Sequence, residues 1–376
     1  LFPIPLLDLA AEHAAYQSEL DAAWQAVVQE AAFIQGPAVG HFAAELGAHL
    51  GGAHVVPCAN GTDALTLALL SLGLPPGAEV IVPAFTYVAT LEAAALLGLR
   101  PVLADVQPDT FNLDPAAVRA ALTPRTGAVI AVHLFGQCAD LEELMVICQA
   151  AGVALIEDNA QALGATFTFA SGATVYAGTV GEVGTTSFFP SKNLGCLGDG
   201  GALFTRDASR ATLLGQLANH GQSQKYQHQY VGLNSRLDTL QAALLRVKLR
   251  YLPAAQAARQ AVAARYDAGL AGLPGVQIPG RDARSSHVFH QYTIRVADGR
   301  RDALQKQLQL AQISSAVYYP SPVPKQEAYT FLCYKAGDFP VAEQLCREVL
   351  SLPVHPGLTL AQQQAVIAAV RTFFAV

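Results

Sequence analysis

Lys192 has the setting in this chain that best permits covalent chemistry. It closes the run Ser187-Phe188-Phe189-Pro190-Ser191-Lys192, lies between two apolar strand-like stretches, and is followed by Gly195, Gly198, Gly200 and Gly201. A lysine held among apolar groups is costly to keep charged, so its pKa falls and its amine becomes a nucleophile toward a carbonyl. Ser187 adds a hydroxyl that can hold an anion, and the glycines let backbone pass close to a ligand. The same pattern also describes a solvated loop lysine beside a glycine turn. Two further segments favour the chemical reading: Ile156-Glu157-Asp158-Asn159-Ala160-Gln161, an apolar run ending in acid, and Asn60-Gly61-Thr62-Asp63-Ala64-Leu65, a helical pattern opened by glycine.

These pieces match the three handles of pyridoxal phosphate. A helix start at Gly61 and Thr62 offers free amides and a positive dipole end to the phosphate, with Ser187 adding its hydroxyl. Asp158 closes an apolar strand, where an unpaired carboxylate is expensive; a protonated ring nitrogen would keep it charged and make the ring an electron sink. Gln161 can reach the ring oxygen, Tyr87 can cover the ring face, and Lys192 takes the aldehyde. Each residue has a plainer alternative: an ordinary capped helix at Asn60, a helix cap at Asp158, a core aromatic at Tyr87.

The elements that would position them follow from periodicity. Residues 1–30 carry an alanine-rich helical pattern, and a second helix is expected over 39–50 before Gly51-Gly52. Strands are expected at 55–59, 79–82, 101–105, 129–134, 154–157, 186–189 and 202–205, separated by helical stretches. That alternation predicts an α/β fold with a mostly parallel seven-stranded sheet. Ligands bind beyond the carboxyl ends of such strands, which gathers Asn60, Gly61, Thr62, Tyr87, His133, Asp158 and Ser187 at one crevice. A long helix is expected over 237–265 with an interruption at Pro253. A smaller α+β region follows, with strands near 291–296 and 315–319 and helices near 302–310, 341–350 and 361–374. The expected division is 1–250 for the packing helices and large cofactor-binding domain, and 251–376 for a small C-terminal domain.

Composition narrows the class. The 376 residues are 52% hydrophobic and 14% charged, with a formal net charge of -6, so there is no basic field for nucleic acid. The apolar stretch over 64–74 stops at Pro75-Pro76, so no membrane span is expected. Cys58, Cys138, Cys148, Cys196, Cys333 and Cys346 lack paired spacing, which argues against disulfides and a metal site and fits a reducing cytoplasm. The opening residues show no basic-then-apolar export signal.

The motifs Cys58-Ala59-Asn60-Gly61-Thr62-Asp63-Ala64-Leu65, Pro83-Ala84-Phe85-Thr86-Tyr87-Val88-Ala89-Thr90, Gly136-Gln137-Cys138-Ala139-Asp140, Ser187 to Lys192, and Asn234-Ser235-Arg236-Leu237-Asp238-Thr239-Leu240-Gln241 resemble those of the DegT/DnrJ/EryC1/StrS nucleotide-sugar aminotransferases, across nearly the whole chain. Within that family the resemblance runs nearest to members that aminate C3 of UDP-2-acetamido-2-deoxy-3-oxo-glucuronate with L-glutamate as donor. It implies a fold-type-I pyridoxal-phosphate-dependent transferase. Lys192 would form the Schiff base and shuttle protons, Asp158 would meet the ring nitrogen, Gln161 the ring oxygen, and Tyr87 would stack. Gly61, Thr62 and Ser187 would hold the phosphate. The family also implies a homodimer with shared active sites, Asn234 reaching the phosphate of the neighbouring subunit. Tyr318 stands before Tyr319-Pro320 where many members carry a histidine near the sugar, and Asn159 stands where many carry a small residue.

For the substrate, Arg236 can grip a carboxylate with two parallel hydrogen bonds, or pair with Asp238 instead. Tyr318 and Tyr319 are the other candidates, while His220 and Lys325 either approach the nucleotide sugar or make ordinary polar contacts. Alternatives at the level of activity are amination of a dTDP-3-oxo or 4-oxo deoxyhexose, a sugar dehydratase, and a non-catalytic regulator. The dehydratase branch is marked by loss of the lysine, which is present here. A nicotinamide-dependent dehydrogenase would need spaced glycines that Asn60-Gly61-Thr62-Asp63-Ala64 lacks.

Overall fold

The computed structural model describes residues 3–375. Helices α1 (Leu9–Ala14), α2 (Gln17–Glu30) and α3 (Pro37–His49) come first. The Asp8 carboxylate caps α1 by accepting the Ala11 amide, and Gly36-Pro37 starts α3 with proline at its first position. The alanine-rich pattern is therefore two helices, parted near Tyr16.

Alternation then begins with β1 (His54–Cys58), α4 (Gly61–Ser71), β2 (Glu79–Pro83), α5 (Ala89–Leu96) and β3 (Arg100–Ala104). It continues through α6 (Pro115–Ala121), β4 (Thr126–Val132), α7 (Leu141–Ala151) and β5 (Ala154–Asp158). A small hairpin, β6 (Thr166–Thr168) and β7 (Thr174–Tyr176), precedes β8 (Val183–Ser187), β9 (Gly201–Thr205) and α8 (Ala208–Leu217). The seven strands run in the order β1-β9-β8-β5-β4-β2-β3, with β9 antiparallel to both neighbours and the rest parallel. Successive side chains serve opposite faces: Val80, Val82 and Ile130 pack into one core, Ile81, Val129 and Ala131 into the other. Burial on both faces is why these strands read as continuous apolar runs.

Beyond the sheet lie a second hairpin, β10 (Gln222–Gln224) and β11 (Gln227–His228), and the long helix α9 (Thr239–Leu270). Pro253 does not interrupt α9, contrary to expectation. Leu244, Leu245, Leu249 and Leu252 before it, and Val262, Tyr266 and Leu270 after it, are buried, and that packing offsets the lost amide. Residue 250 lies inside this helix. The remaining elements are β12 (Val276–Gln277), β13 (Tyr292–Val296), α10 (Arg301–Leu310), α11 (Pro340–Glu348), β14 (Val349–Leu352) and α12 (Leu360–Phe374). Except for α11, whose Ala342, Leu345 and Cys346 pack into the sheet core, they share a core of their own that also takes in Ile4, whose backbone bridges to Ile313.

Two expectations fail in this region. The segment 315–319 is not a strand: only Ala316 bridges to Ser351, while Val317, Tyr318 and Tyr319 line a cavity. The apolar run after α11 leaves the helix at Val349 and becomes the edge strand β14, paired with β13.

Candidate active site

The cavity lies where the chain leaves the carboxyl ends of β1, β5 and β8, and it encloses about 740 Å³. Lys192, Asp158, Gln161, Gly61, Thr62, Ser187, Tyr87, Tyr318 and Tyr319 all line it. Antiparallel β9 brings these ends together, since Cys58 pairs with Gly201 on one side and Ser187 with Gly201 on the other.

The turn into α4 is shaped by close backbone approach. A Cβ on Gly61 would lie 2.7 Å from the Ser187 Cβ, so only glycine lets the start of α4 meet the end of β8. The Asn60 side chain accepts the Asp63 amide at 2.8 Å. Among the described residues the amides of Gly61 and Thr62 have no protein acceptor. An 11-residue helix with free amides facing a cavity, beside a serine hydroxyl, suits a phosphate dianion.

Asp158 ends β5 and is buried. Its carboxylate accepts the Ala160 amide at 3.1 Å and the Thr90 hydroxyl at 3.1 Å. Burial raises its pKa, and the Ala160 amide, Lys192 and Thr90 pull the other way without cancelling it. A cation in the cavity would complete the balance, and a protonated pyridine nitrogen is one. Burial lowers Lys192 to about 8, with Asp158 opposing the shift, so its amine is available near neutral pH. The set fits pyridoxal phosphate: a lowered lysine, a buried carboxylate lacking a full counter-charge, and an amide cradle that a Cβ would fill.

Gln161 is fixed in one orientation. Its Oε1 accepts the Phe135 amide at 2.7 Å, so Nε2 donates to the Tyr319 hydroxyl oxygen at 3.1 Å. Tyr87 is 59% exposed at the cavity wall, which removes the core-aromatic alternative; its ring centroid lies 6.3 Å from that of Tyr319. Burial raises the pKa of both Tyr318 and Tyr319, so both phenols stay protonated.

Other expected residues lie elsewhere. His133 does not open on the cavity. Its Nδ1 accepts the Ala139 amide at 3.0 Å, which leaves the proton on Nε2 to be donated to Glu157 at 2.9 Å. Glu157 also accepts the amides of Gly178, Val180 and Gly181, so this buried pair braces β5 beneath Asp158. Asn234 and Arg236 lie outside this chain's own cavity. Asn234 bridges to Asn219, and Arg236 donates to the Asn219 side chain at 3.4 Å without an ion pair among the described residues. Lys325 pairs with Glu343 at 3.2 Å, and the His220 carbonyl bonds the His228 ring. Asn159 packs under the site, donating to the Ala177 carbonyl at 2.9 Å.

Sequence reasoning missed Thr90 and His290. Thr90 falls one turn after Tyr87 in the same motif, and that spacing is its only signal. His290 comes from the segment before β13 and lines the cavity beside Gln291. Nothing in its sequence neighbourhood points there.

Comparison with known proteins agrees with this geometry. Residues 15–371 match the model of the DegT/DnrJ/EryC1/StrS aminotransferase family. The chain is 43% identical to the UDP-2-acetamido-2-deoxy-3-oxo-D-glucuronate aminotransferase of Pseudomonas aeruginosa, covering 97% of this chain and 99% of that one. It is 42% identical to the dTDP-3-amino-3,4,6-trideoxy-alpha-D-glucose transaminase of Streptomyces venezuelae, covering 98% and 95%. The crystal structure of S. venezuelae DesV in complex with a ketimine intermediate superposes with a TM-score of 0.95 at 41% identity, covering 100% of this chain and 99% of that one. The chain therefore belongs to the DegT/DnrJ/EryC1/StrS aminotransferase family.

Proposed function

We propose that this enzyme transfers the amino group of L-glutamate to C3 of UDP-2-acetamido-2-deoxy-3-oxo-glucuronate, as a cytoplasmic homodimer serving cell-surface polysaccharide biosynthesis. The broader activity, pyridoxal-phosphate-dependent transamination of a nucleotide sugar, follows from the family and from its relatives. The observation that carries it is the joining of Lys192, Asp158 and the Gly61–Ser187 cradle in one cavity.

When bound, pyridoxal phosphate supplies an electron sink that weakens the C–H bond beside an amine. The chain's residues do the rest. The amides of Gly61 and Thr62 and the Ser187 hydroxyl would hold the phosphate, and Asp158, braced by Thr90 and Ala160, would keep the ring nitrogen protonated. Gln161 would orient the ring oxygen and Tyr87 would cover the ring face. The Lys192 amine would hold the proton exchanged with the reacting carbon, acting as both base and acid. Glutamate and keto-sugar would use the site in turn, so the kinetics are ping-pong.

Asn234 and Arg236 support the dimer. Both lie outside this chain's cavity, and a second subunit would be needed to bring them to one. Arg236 has no carboxylate partner among the described residues and is the candidate for the uronate, with Tyr318 and Tyr319 of the cavity lining as the candidates for the sugar. Among the described residues no helix is long and apolar enough to cross a membrane. The test is mass spectrometry of products from glutamate with the 3-oxo-glucuronate and with a dTDP-3-oxo-deoxyhexose. Preferred amination of the uronate supports the proposal; preferred amination of the dTDP sugar overturns its substrate.

A further inference from the structure

Each handle of the cofactor is matched by residues on the sheet domain, which leaves the polar groups of the opposite wall without a task. His290 is the clearest of them. It is 5% exposed, lines the cavity, and its Nδ1 is buried without a hydrogen-bond partner among the described residues. Buried polar atoms are almost always paired, so an unpaired one beside a cavity is completed by whatever fills it.

The backbone around His290 is firmly held. Val288 donates its amide to the Gly136 carbonyl at 2.9 Å, and Gln291 donates to the Phe135 carbonyl at 3.2 Å. Asn193, the residue after Lys192, donates from Nδ2 to the Val288 carbonyl at 3.1 Å. A Cβ on Gly136 would meet the His290 amide nitrogen at 3.0 Å, so the segment packs flat on this turn. The nearby His287 differs: it stacks on Phe289 at 4.0 Å, and its Nδ1 accepts the Phe289 amide.

Burial, together with the positive charges of Lys192 and Arg259, holds His290 neutral. A neutral imidazole offers one N–H and one lone pair, the complement of a hydroxyl, which also both donates and accepts. A carboxylate is better served by a guanidinium. Gln291 and Tyr318 line the same cavity as His290, and none of the three is matched to a handle of the cofactor.

We infer that His290 is a specificity-determining contact for the sugar, exchanging a hydrogen bond with one of its neutral hydroxyl or acetamido groups and taking no part in the glutamate half of the reaction. This rests on the nucleotide-sugar reading above. The test uses the holoenzyme with His290→Leu and His290→Gln. Each half-reaction is followed in a single turnover by cofactor absorbance, and the imidazole ¹⁵N signals of the wild type are recorded as UDP-N-acetylglucosamine is added. The expected result is an unchanged glutamate step and a sugar step slowed roughly 10-fold or more in His290→Leu. Partial recovery is expected in His290→Gln, together with a shift of the His290 signal on adding the UDP-sugar. Equal losses in both half-reactions, no loss in either, or an unmoved His290 signal would overturn the inference. If His290→Leu does not fold, His290→Gln and the wild-type spectra decide. A wild type that aminates no nucleotide keto-sugar overturns the reading beneath, and this inference with it.

Discussion

The Thr90 hydroxyl donates to the Asp158 carboxylate at 3.1 Å, tying the first turn of α5 to the end of β5 across 68 residues of sequence. Apart from the Ala160 amide, it is the only protein hydrogen bond to that carboxylate among the described residues. Removing it leaves a buried charge less satisfied and raises the Asp158 pKa further. A hydrogen bond to a charged group contributes about 1.5–3 kcal/mol, so Thr90→Val should slow both half-reactions roughly 10- to 100-fold. Thr90→Ser should recover most of the rate. Steady-state kinetics of the three proteins check this, and a Thr90→Val enzyme at wild-type rate would contradict it.

Gly61→Ala should weaken cofactor binding without unfolding the chain. The added methyl would meet the Ser187 Cβ at 2.7 Å, so the start of α4 must back away from β8 and open the phosphate cradle. Displacing one or two amide contacts to a dianion costs about 1.5–3 kcal/mol each. Titration of the apoprotein with pyridoxal phosphate should show affinity falling at least roughly 10-fold, while thermal unfolding of the apoprotein moves little. Unaltered affinity would place the phosphate elsewhere.

The sheet was legible because its strands are buried on both faces and so stand out as apolar runs between helical patterns. Its boundaries moved by a few residues. The meeting of Lys192, Asp158 and the Gly61 turn at one cavity was also legible, since each needs only local chemistry and a strand end to be placed. His133 was misplaced because a strand end says which rim a residue occupies, not which way its side chain turns; Glu157 draws it under the sheet. His290 and Thr90 depend on contacts distant in sequence. The segment 315–319 alternates like a strand, but Val317, Tyr318 and Tyr319 serve a cavity instead of a ladder, and sequence periodicity does not distinguish the two.

The apoprotein should take up pyridoxal phosphate at a rate that rises with pH through about 8, the value to which burial lowers Lys192. The neutral amine is the reactive form, and an exposed lysine would delay the rise to about pH 10.4. Asp158 favours the protonated lysine, so Asp158→Asn should shift the midpoint lower still. Reconstitution rates across pH provide the measurement; a midpoint near that of free lysine would mean that the amine is solvated.

Glu157 links the site to stability in acid. Burial alone would raise its carboxyl, but His133 and the amides of Gly181 and Gly178 outweigh it and hold the folded-state pKa below the ordinary value. A carboxylate depressed on folding stabilises the protein above its unfolded pKa, about 4.3. That contribution is lost as pH falls from there through the folded value. Glu157→Gln should cost about 1.5–3 kcal/mol at neutral pH, because one oxygen that accepts the buried amides of Gly178, Val180 and Gly181 or the His133 ring is replaced by a donor. Its stability should also vary less with pH below about 4.3. Denaturant unfolding at pH 7 and in acid tests both; parallel pH profiles for the two proteins would contradict the assignment.

The most direct test of the central claim is the visible absorption spectrum of the purified protein and of Lys192→Ala, each before and after L-glutamate. The account predicts a cofactor band in the wild type that bleaches with glutamate, and a mutant whose band is missing or does not respond. A wild-type band that ignores glutamate would contradict the proposed donor, and no band after reconstitution with pyridoxal phosphate would contradict the site itself.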